Sequence, residues 1–198
     1  SNFECRQDRI YINPHERMNY VFNSLINGIE DSDFILLVGT NPRLEATILN
    51  ARIRKAYIKN KVKIYSIGNP GDLTYPYNYI GSSTSIIREI VSGSHEISEK
   101  IKKSKKPLII MGQSALYGKV GEYVFETLKS FLFSNNFITK EWNALNVLNQ
   151  QASRVGAVDL GIHSAKKGQN FAFFDKLQNN DFKFIYLLGA DDINFDKK

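Results

Sequence analysis

Four stretches of the chain share one layout, an apolar run of β-favouring residues that stops at a glycine and gives way to turn residues. They are Phe34 to Val38 before Gly39, Val62 to Ile67 before Gly68, Leu108 to Met111 before Gly112, and Phe184 to Leu188 before Gly189. None alternates between apolar and polar positions, which is the pattern of a strand covered on both faces. Helical patterns of roughly a dozen residues lie between them. The alternation therefore predicts right-handed crossovers and an α/β fold with a doubly wound, mostly parallel sheet.

The clearest helix is expected from Pro42 to about Asn60. Leu44, Ile48, Ala51 and Ile58 share one face of it, while Ala46, Leu49, Ile53, Ala56 and Tyr57 share the opposite one. Two apolar stripes imply two covered faces. One belongs on the sheet, and the other meets a further layer or a partner subunit, or else the helix is simply central in its own domain. A helix from Pro14 to about Ile29 is also expected, with Asn13 as its cap and Pro14 in its first position. Further helices are predicted near Thr84 to Val91, Glu96 to Lys102 and Gly118 to Phe133. Trp142 to Leu148 reads as a short strand or a buried helix start, and Gln150 to Val155 as a short helix. No internal repeat, low-complexity linker or domain boundary interrupts residues 1–198, so a single α/β region is expected. An alternation open at both ends predicts a piece of a longer polypeptide.

With 42% hydrophobic and 23% charged residues the composition is that of a folded globular chain. No apolar run approaches the ~20 residues that cross a bilayer. The single cysteine rules out an internal disulfide and cannot by itself ligate an iron-sulfur cluster or a structural zinc. The net charge of +6 comes largely from scattered lysines, a pattern unlike a nucleic-acid reader's basic stripe with aromatics or a recognition helix. The run Lys100, Lys102, Lys103, Lys105 and Lys106 reads as a solvated helix end leading into a strand.

The sharpest candidate for chemistry is Gly39-Thr40-Asn41-Pro42, at the carboxyl end of the first strand and directly before a helix. Open α/β sheets place ligands there, and helix N-termini favour anions. The turn is neither the Gly-x-Gly-x-x-Gly fingerprint nor a P-loop, so a phosphate seat and a plain strand-to-helix turn both stand. Gly112-Gln113-Ser114-Ala115 fails the nucleophile-elbow pattern at its last position, and Ser114 reads as a helix cap. His15, His95 and His163 have no metal-binding spacing and suit capping or surface roles. Asp31 with Asp33, and Asp191 with Asp192, read as solvated element ends rather than acid/base couples. No catalytic residue and no metal ligand is assigned.

The run Leu36-Leu37-Val38-Gly39-Thr40-Asn41-Pro42-Arg43-Leu44-Glu45-Ala46, continued by Leu49 to Lys55, resembles the large iron-sulfur subunit of respiratory NADH:quinone oxidoreductase, complex I. Cys5-Arg6-Gln7-Asp8, Gly68-Asn69-Pro70-Gly71-Asp72-Leu73-Thr74-Tyr75, Ala152-Ser153-Arg154-Val155-Gly156-Ala157, Asp159-Leu160-Gly161 and Leu187-Leu188-Gly189-Ala190-Asp191 agree with it in the same order. Its fold is Rossmann-like, as in formate dehydrogenase and DMSO reductase-type domains that hold a molybdopterin guanine dinucleotide. The resemblance implies that Gly39, Thr40, Asn41 and Pro42 are a vestigial cofactor loop. Where those enzymes anchor the nucleotide with acidic residues, this chain has Gly68-Asn69-Pro70 and Ile80-Gly81-Ser82-Ser83-Thr84. Each lost charge-assisted acceptor is worth ~1.5–3 kcal/mol. Cys5 lies near where such enzymes place a metal ligand, though a lone thiol is the default reading. The resemblance thus implies a non-catalytic scaffold without a cofactor of its own. It further implies that the 4Fe-4S and 2Fe-2S clusters of its parent lie upstream and that its partners are other peripheral-arm subunits. The place it implies is the cytoplasmic side of a bacterial inner membrane or the mitochondrial matrix side. The alternatives are part of an active molybdopterin-dependent oxidoreductase and a free-standing nucleotide-binding module.

Overall fold

The computed structural model describes residues 10–163 and 176–188. Five strands form one sheet, parallel throughout: β1 (Phe34–Val38), β2 (Lys63–Ile67), β3 (Asn78–Gly81), β4 (Pro107–Met111) and β5 (Leu145–Val147). Their order is β3-β2-β1-β4-β5, so the winding reverses between β1 and β4. Both of these central strands are buried along their whole length, which is why their sequences are apolar without alternation.

Successive side chains of the strands enter two separate cores. Phe34, Leu36, Val38, Ile109 and Met111 face α3 (Ser85–Ser92), α4 (Glu96–Lys103) and α5 (Gly118–Ser134). Ile35, Leu37, Leu108 and Ile110 face Leu49, Ile53 and Ala56 of α2 (Thr47–Asn60). Each such side chain contributes about 1.5–3 kcal/mol by leaving water. The short α1 (Pro42–Glu45) precedes α2, and Ala46, at φ −155° and ψ 76°, breaks what the periodicity predicts as one helix. Of its two stripes only the sheet-facing one is covered, because Leu44, Ile48, Ala51 and Ile58 are exposed.

The helix expected from Pro14 to Ile29 does not form. Only two 3-10 turns occur there, at Arg17–Asn19 and Asn27–Asp31. Polar side chains compete with the helical backbone in this stretch. Asn13 accepts from the His15 N–H at 3.2 Å, and Asn23 Nδ2 donates to the carbonyls of Met18 at 2.8 Å and Leu145 at 2.6 Å. The segment instead lies against β5. Phe22 bridges Asn146 in antiparallel sense, the Val147 N–H donates to the Val21 carbonyl at 3.1 Å, and the Ser24 N–H donates to buried Asn146 Oδ1 at 2.9 Å.

The fourth predicted strand is also absent. Residues 184–188 form no ladder, with Phe184 and Leu188 about 80% and 81% exposed. An apolar run reports a need for cover, and here β5 takes the place beside β4 that such a strand would fill. Trp142 to Leu148 therefore resolves as a strand. The short helix predicted at Gln150 to Val155 forms as α6 (Arg154–Asp159), four residues later. The edge strand β3, half-exposed and polar at its start, has no counterpart among the predicted elements.

Candidate functional site

The reversal between β1 and β4 brings the turn after β1 against the turn after β4, at the carboxyl end of the sheet where α/β folds hold ligands. Gly39 has φ +55°, and a Cβ there would lie 2.6 Å from the Ala115 nitrogen. A Cβ on Gly112 would lie 2.4 Å from the Gly39 carbonyl oxygen. The two glycines let the turns close on each other, leaving the crevice occupied by the chain's own backbone. Ser114 completes the closure by donating its hydroxyl to the Gly39 carbonyl. It is therefore a cross-link between turns, inside the 3-10 turn Gln113–Leu116, and not the helix cap expected.

The Thr40 hydroxyl and the Asn41 donors of the Gly39 to Pro42 turn are answered from within. Glu45 Oε1 accepts from the Asn41 N–H at 2.7 Å, and Glu45 Oε2 accepts from the buried Thr40 hydroxyl at 3.0 Å. Asn41 Oδ1 caps α1 by accepting from the Leu44 N–H at 3.2 Å, while its Nδ2 donates to the Pro70 carbonyl at 2.6 Å. Pro42 is buried at the first position of α1. A carboxylate thus occupies the place where a phosphate would collect these donors, and it would repel one. Sequence reading singles out Gly39, Thr40, Asn41 and Pro42 but overlooks Glu45. Its signal is the spacing, one residue longer than a capping box.

The turn after β2 is held to the same structure. Asn69 Oδ1 accepts from the Gly71 N–H at 3.0 Å and from the Tyr77 hydroxyl at 3.2 Å. Asn50 on α2 donates to the Leu73 carbonyl at 3.1 Å and accepts from the Tyr75 hydroxyl at 2.8 Å; burial pushes the Tyr75 phenol well up. Asp72 accepts from the Thr74 N–H and pairs with Arg43 at 2.5 Å, which together hold its carboxyl below the usual range.

A second polar cluster, unsuspected in the sequence, follows β4 and β5. Gln113 Nε2 donates to Gln151 Oε1 at 2.7 Å, and the same oxygen accepts from Arg154 Nη2 at 3.1 Å. Arg154 is only 2% exposed. Through Gln151 its guanidinium links α6 to the turn after β4, and only its place in the Ala152 to Ala157 motif could have marked it.

Elsewhere the candidates have structural roles. His95 Nδ1 caps α4 by accepting from the Ile97 N–H at 3.2 Å, and burial lowers the His163 imidazole. Asp33 closes the turn before β4, accepting from the Ser104 hydroxyl and from the N–H groups of Lys105 at 2.8 Å and Lys106 at 3.0 Å. Asp31 pairs with Lys106 at 3.5 Å. Among the described residues no group of three His, Cys, Asp or Glu side chains could hold a metal ion. Cys5, Gly189 to Asp191 and Asp192 lie outside the described residues.

A family profile described as Molybdopterin oxidoreductase matches residues 1–198. The chain is 41% identical over 197 residues to the NADH-ubiquinone oxidoreductase 75 kDa subunit of Reclinomonas americana, covering 98% of this chain and 28% of that protein. It is 42% identical over 178 residues to the mitochondrial NADH-ubiquinone oxidoreductase 78 kDa subunit of Candida albicans, covering 89% and 23%. With the mitochondrial NADH dehydrogenase [ubiquinone] iron-sulfur protein 1 of Solanum tuberosum it shares 35% identity over 197 residues, covering 100% and 26%. The chain spans about a quarter of the length of these relatives.

Proposed function

The chain belongs to the molybdopterin oxidoreductase family, and from that premise we propose that it serves as a non-catalytic structural region of the iron-sulfur subunit of a respiratory NADH:quinone oxidoreductase. The observation that carries this reading is the state of the crevice between β1 and β4. The family's pterin dinucleotide needs room for its backbone and free donors for its phosphates. Here the room is taken by the Gly39–Gly112 approach, and the Asn41 and Thr40 donors are taken by Glu45. The residues present do not fit that cofactor, and Gly39, Thr40, Asn41 and Pro42 are its vestige.

In this reading the chain is one α/β region of a longer subunit whose iron-sulfur domains lie upstream. The 4Fe-4S and 2Fe-2S clusters there pass electrons from NADH toward quinone, and this region supports them without carrying current. Its partners are other subunits of the peripheral arm, on the matrix side of the mitochondrial inner membrane or the cytoplasmic side of a bacterial one. No described helix is long and apolar enough to cross a membrane, in keeping with a peripheral place.

Metal and cofactor analysis of the purified full-length subunit tests the reading. Iron without molybdenum, tungsten or extractable pterin is the expected result. Stoichiometric molybdenum or tungsten with pterin would overturn it in favour of an active molybdopterin-dependent oxidoreductase.

A further inference from the structure

The face of α2 turned away from the sheet combines three features. First, Leu44 on α1 and Ile48 and Ile58 on α2 are 79%, 69% and 58% exposed, and Ala51 of α2 is exposed as well. Ile48, Ala51 and Ile58 fall on one side of a 3.6-residue turn, with Lys55 between them. Second, α2 contains no carboxylate but carries Arg52, Arg54, Lys55 and Lys59. Third, the carboxyl-terminal end of that face adjoins an open cleft lined by Arg52, Lys59, Lys105 and Lys106 together with Glu30, Asp31 and Asp33.

The carboxylates of the cleft are already engaged. Glu30 binds Arg52 and Lys55, which hold its carboxyl below the usual range, Asp33 accepts three hydrogen bonds, and Asp31 meets Lys106. The ammonium groups of Lys59 and Lys105, and the guanidinium of Arg54, make no ion pair among the described residues. An apolar ridge beside unanswered cations is half of a complementary interface.

We propose that this face docks an acidic, amphipathic segment of another subunit of the assembly. Apolar side chains of that segment cover Ile48, Ala51 and Ile58, and its carboxylates reach Lys59 and Lys105 in the cleft. The inference rests on the reading that the chain is part of a multisubunit oxidoreductase, and it adds the surface and the partner's chemistry. A second copy of this chain is a poor occupant, because two α2 faces would oppose Arg54 and Lys59 to their own kind. An anionic lipid surface is also a poor one. The apolar strip is narrow and interrupted by Lys55.

The test uses the assembled complex with a photo-crosslinking benzoyl-phenylalanine in place of Ile48, an exposed position whose replacement leaves the core intact. Adducts are identified by mass spectrometry. The expected result is one peptide of another subunit, rich in Asp or Glu, whose adduct yield falls roughly tenfold or more in Lys59→Glu/Lys105→Glu and in high salt. An adduct to a second copy of this chain, an adduct to lipid, or none in an intact assembly would overturn the proposal alone. If the full-length subunit never fractionates with an NADH-oxidising assembly, the functional reading falls and takes this surface with it.

Discussion

The two ends of the sheet have exchanged the characters that the fold leads one to expect. At the carboxyl end, two turns meet through glycine, and the Gly39 N–H, the Thr40 hydroxyl and both Asn41 donors have internal acceptors. At the amino end, between α2 and the turn before β4, a cleft stays open and two of its lysines are without a counter-ion among the described residues. In ligand-binding α/β proteins the carboxyl end is the receptive one. The difference teaches that topology fixes where a crevice can be, while a few side chains decide whether anything can enter it.

If the carboxyl end is a sealed structural joint, damage there should cost the most stability. Gly39→Ala should cost about 3 kcal/mol or more in urea unfolding, since it adds a Cβ against the backbone of Ala115 at a positive φ. A loss below about 1 kcal/mol would mean that the turns are not in contact. Glu45→Ala strands the Asn41 N–H and the buried Thr40 hydroxyl and should cost about 2 kcal/mol. Glu45→Gln should lose less than half of that, because its amide oxygen still accepts from Asn41 while the Thr40 hydroxyl turns to accept from the amide nitrogen.

Substitutions at the amino end should be milder. Burial alone would raise the Asp33 carboxyl, but the bonds from Ser104, Lys105 and Lys106 outweigh it and hold the group below its ordinary value of 3.8. Its contribution is then fully present above that pH and is lost as pH falls through the lower folded value. Asp33→Asn should lower the melting temperature by about 2–4 °C at neutral pH, corresponding to about 1 kcal/mol. That gap should close in melts recorded at successively more acid pH. Smallest of all, Lys59→Ser and Lys105→Ser should stay within about 0.5 kcal/mol of the parent in the same urea titration. A larger loss from either would show that the cleft is a structural joint too, and the contrast between the ends would disappear.

Legibility in the sequence follows the same division. Strands β1, β2 and β4 are readable because cover on both faces leaves an unbroken apolar run. The edge strand β3 has half-exposed side chains and no such run. Residues 14–29 carry helix-start signals that lose to asparagine side chains bonding the backbone. The run at 184–188 is apolar but pairs with no strand among the described residues. At the candidate site, glycine and proline disclose the turn itself, since they restrict the backbone locally. The partners that close it depend on contacts at long range, as with Ser114 and Gly39, which stand 75 residues apart. Arg154 is hidden for a related reason, because a charged residue in a short motif gives no sign of burial until the elements around it are assembled.

The antiparallel cover that residues 21–24 lay along β5 bears on how the chain reaches its fold. Ser24 and Asn146 are 122 residues apart, so this contact closes a loop of most of the described chain. At a synthesis rate of about 5–20 residues per second, the amino-terminal segment waits roughly 6–24 s for its counterpart to be made. During that interval Phe22 and the Asn19 to Asn23 backbone are without their final neighbours, and the strand they will shield does not yet exist. The cover is thus made before the edge it protects, and until β5 emerges it is the waiting amino-terminal segment and the open edge of β4 that are exposed to wrong strand pairing.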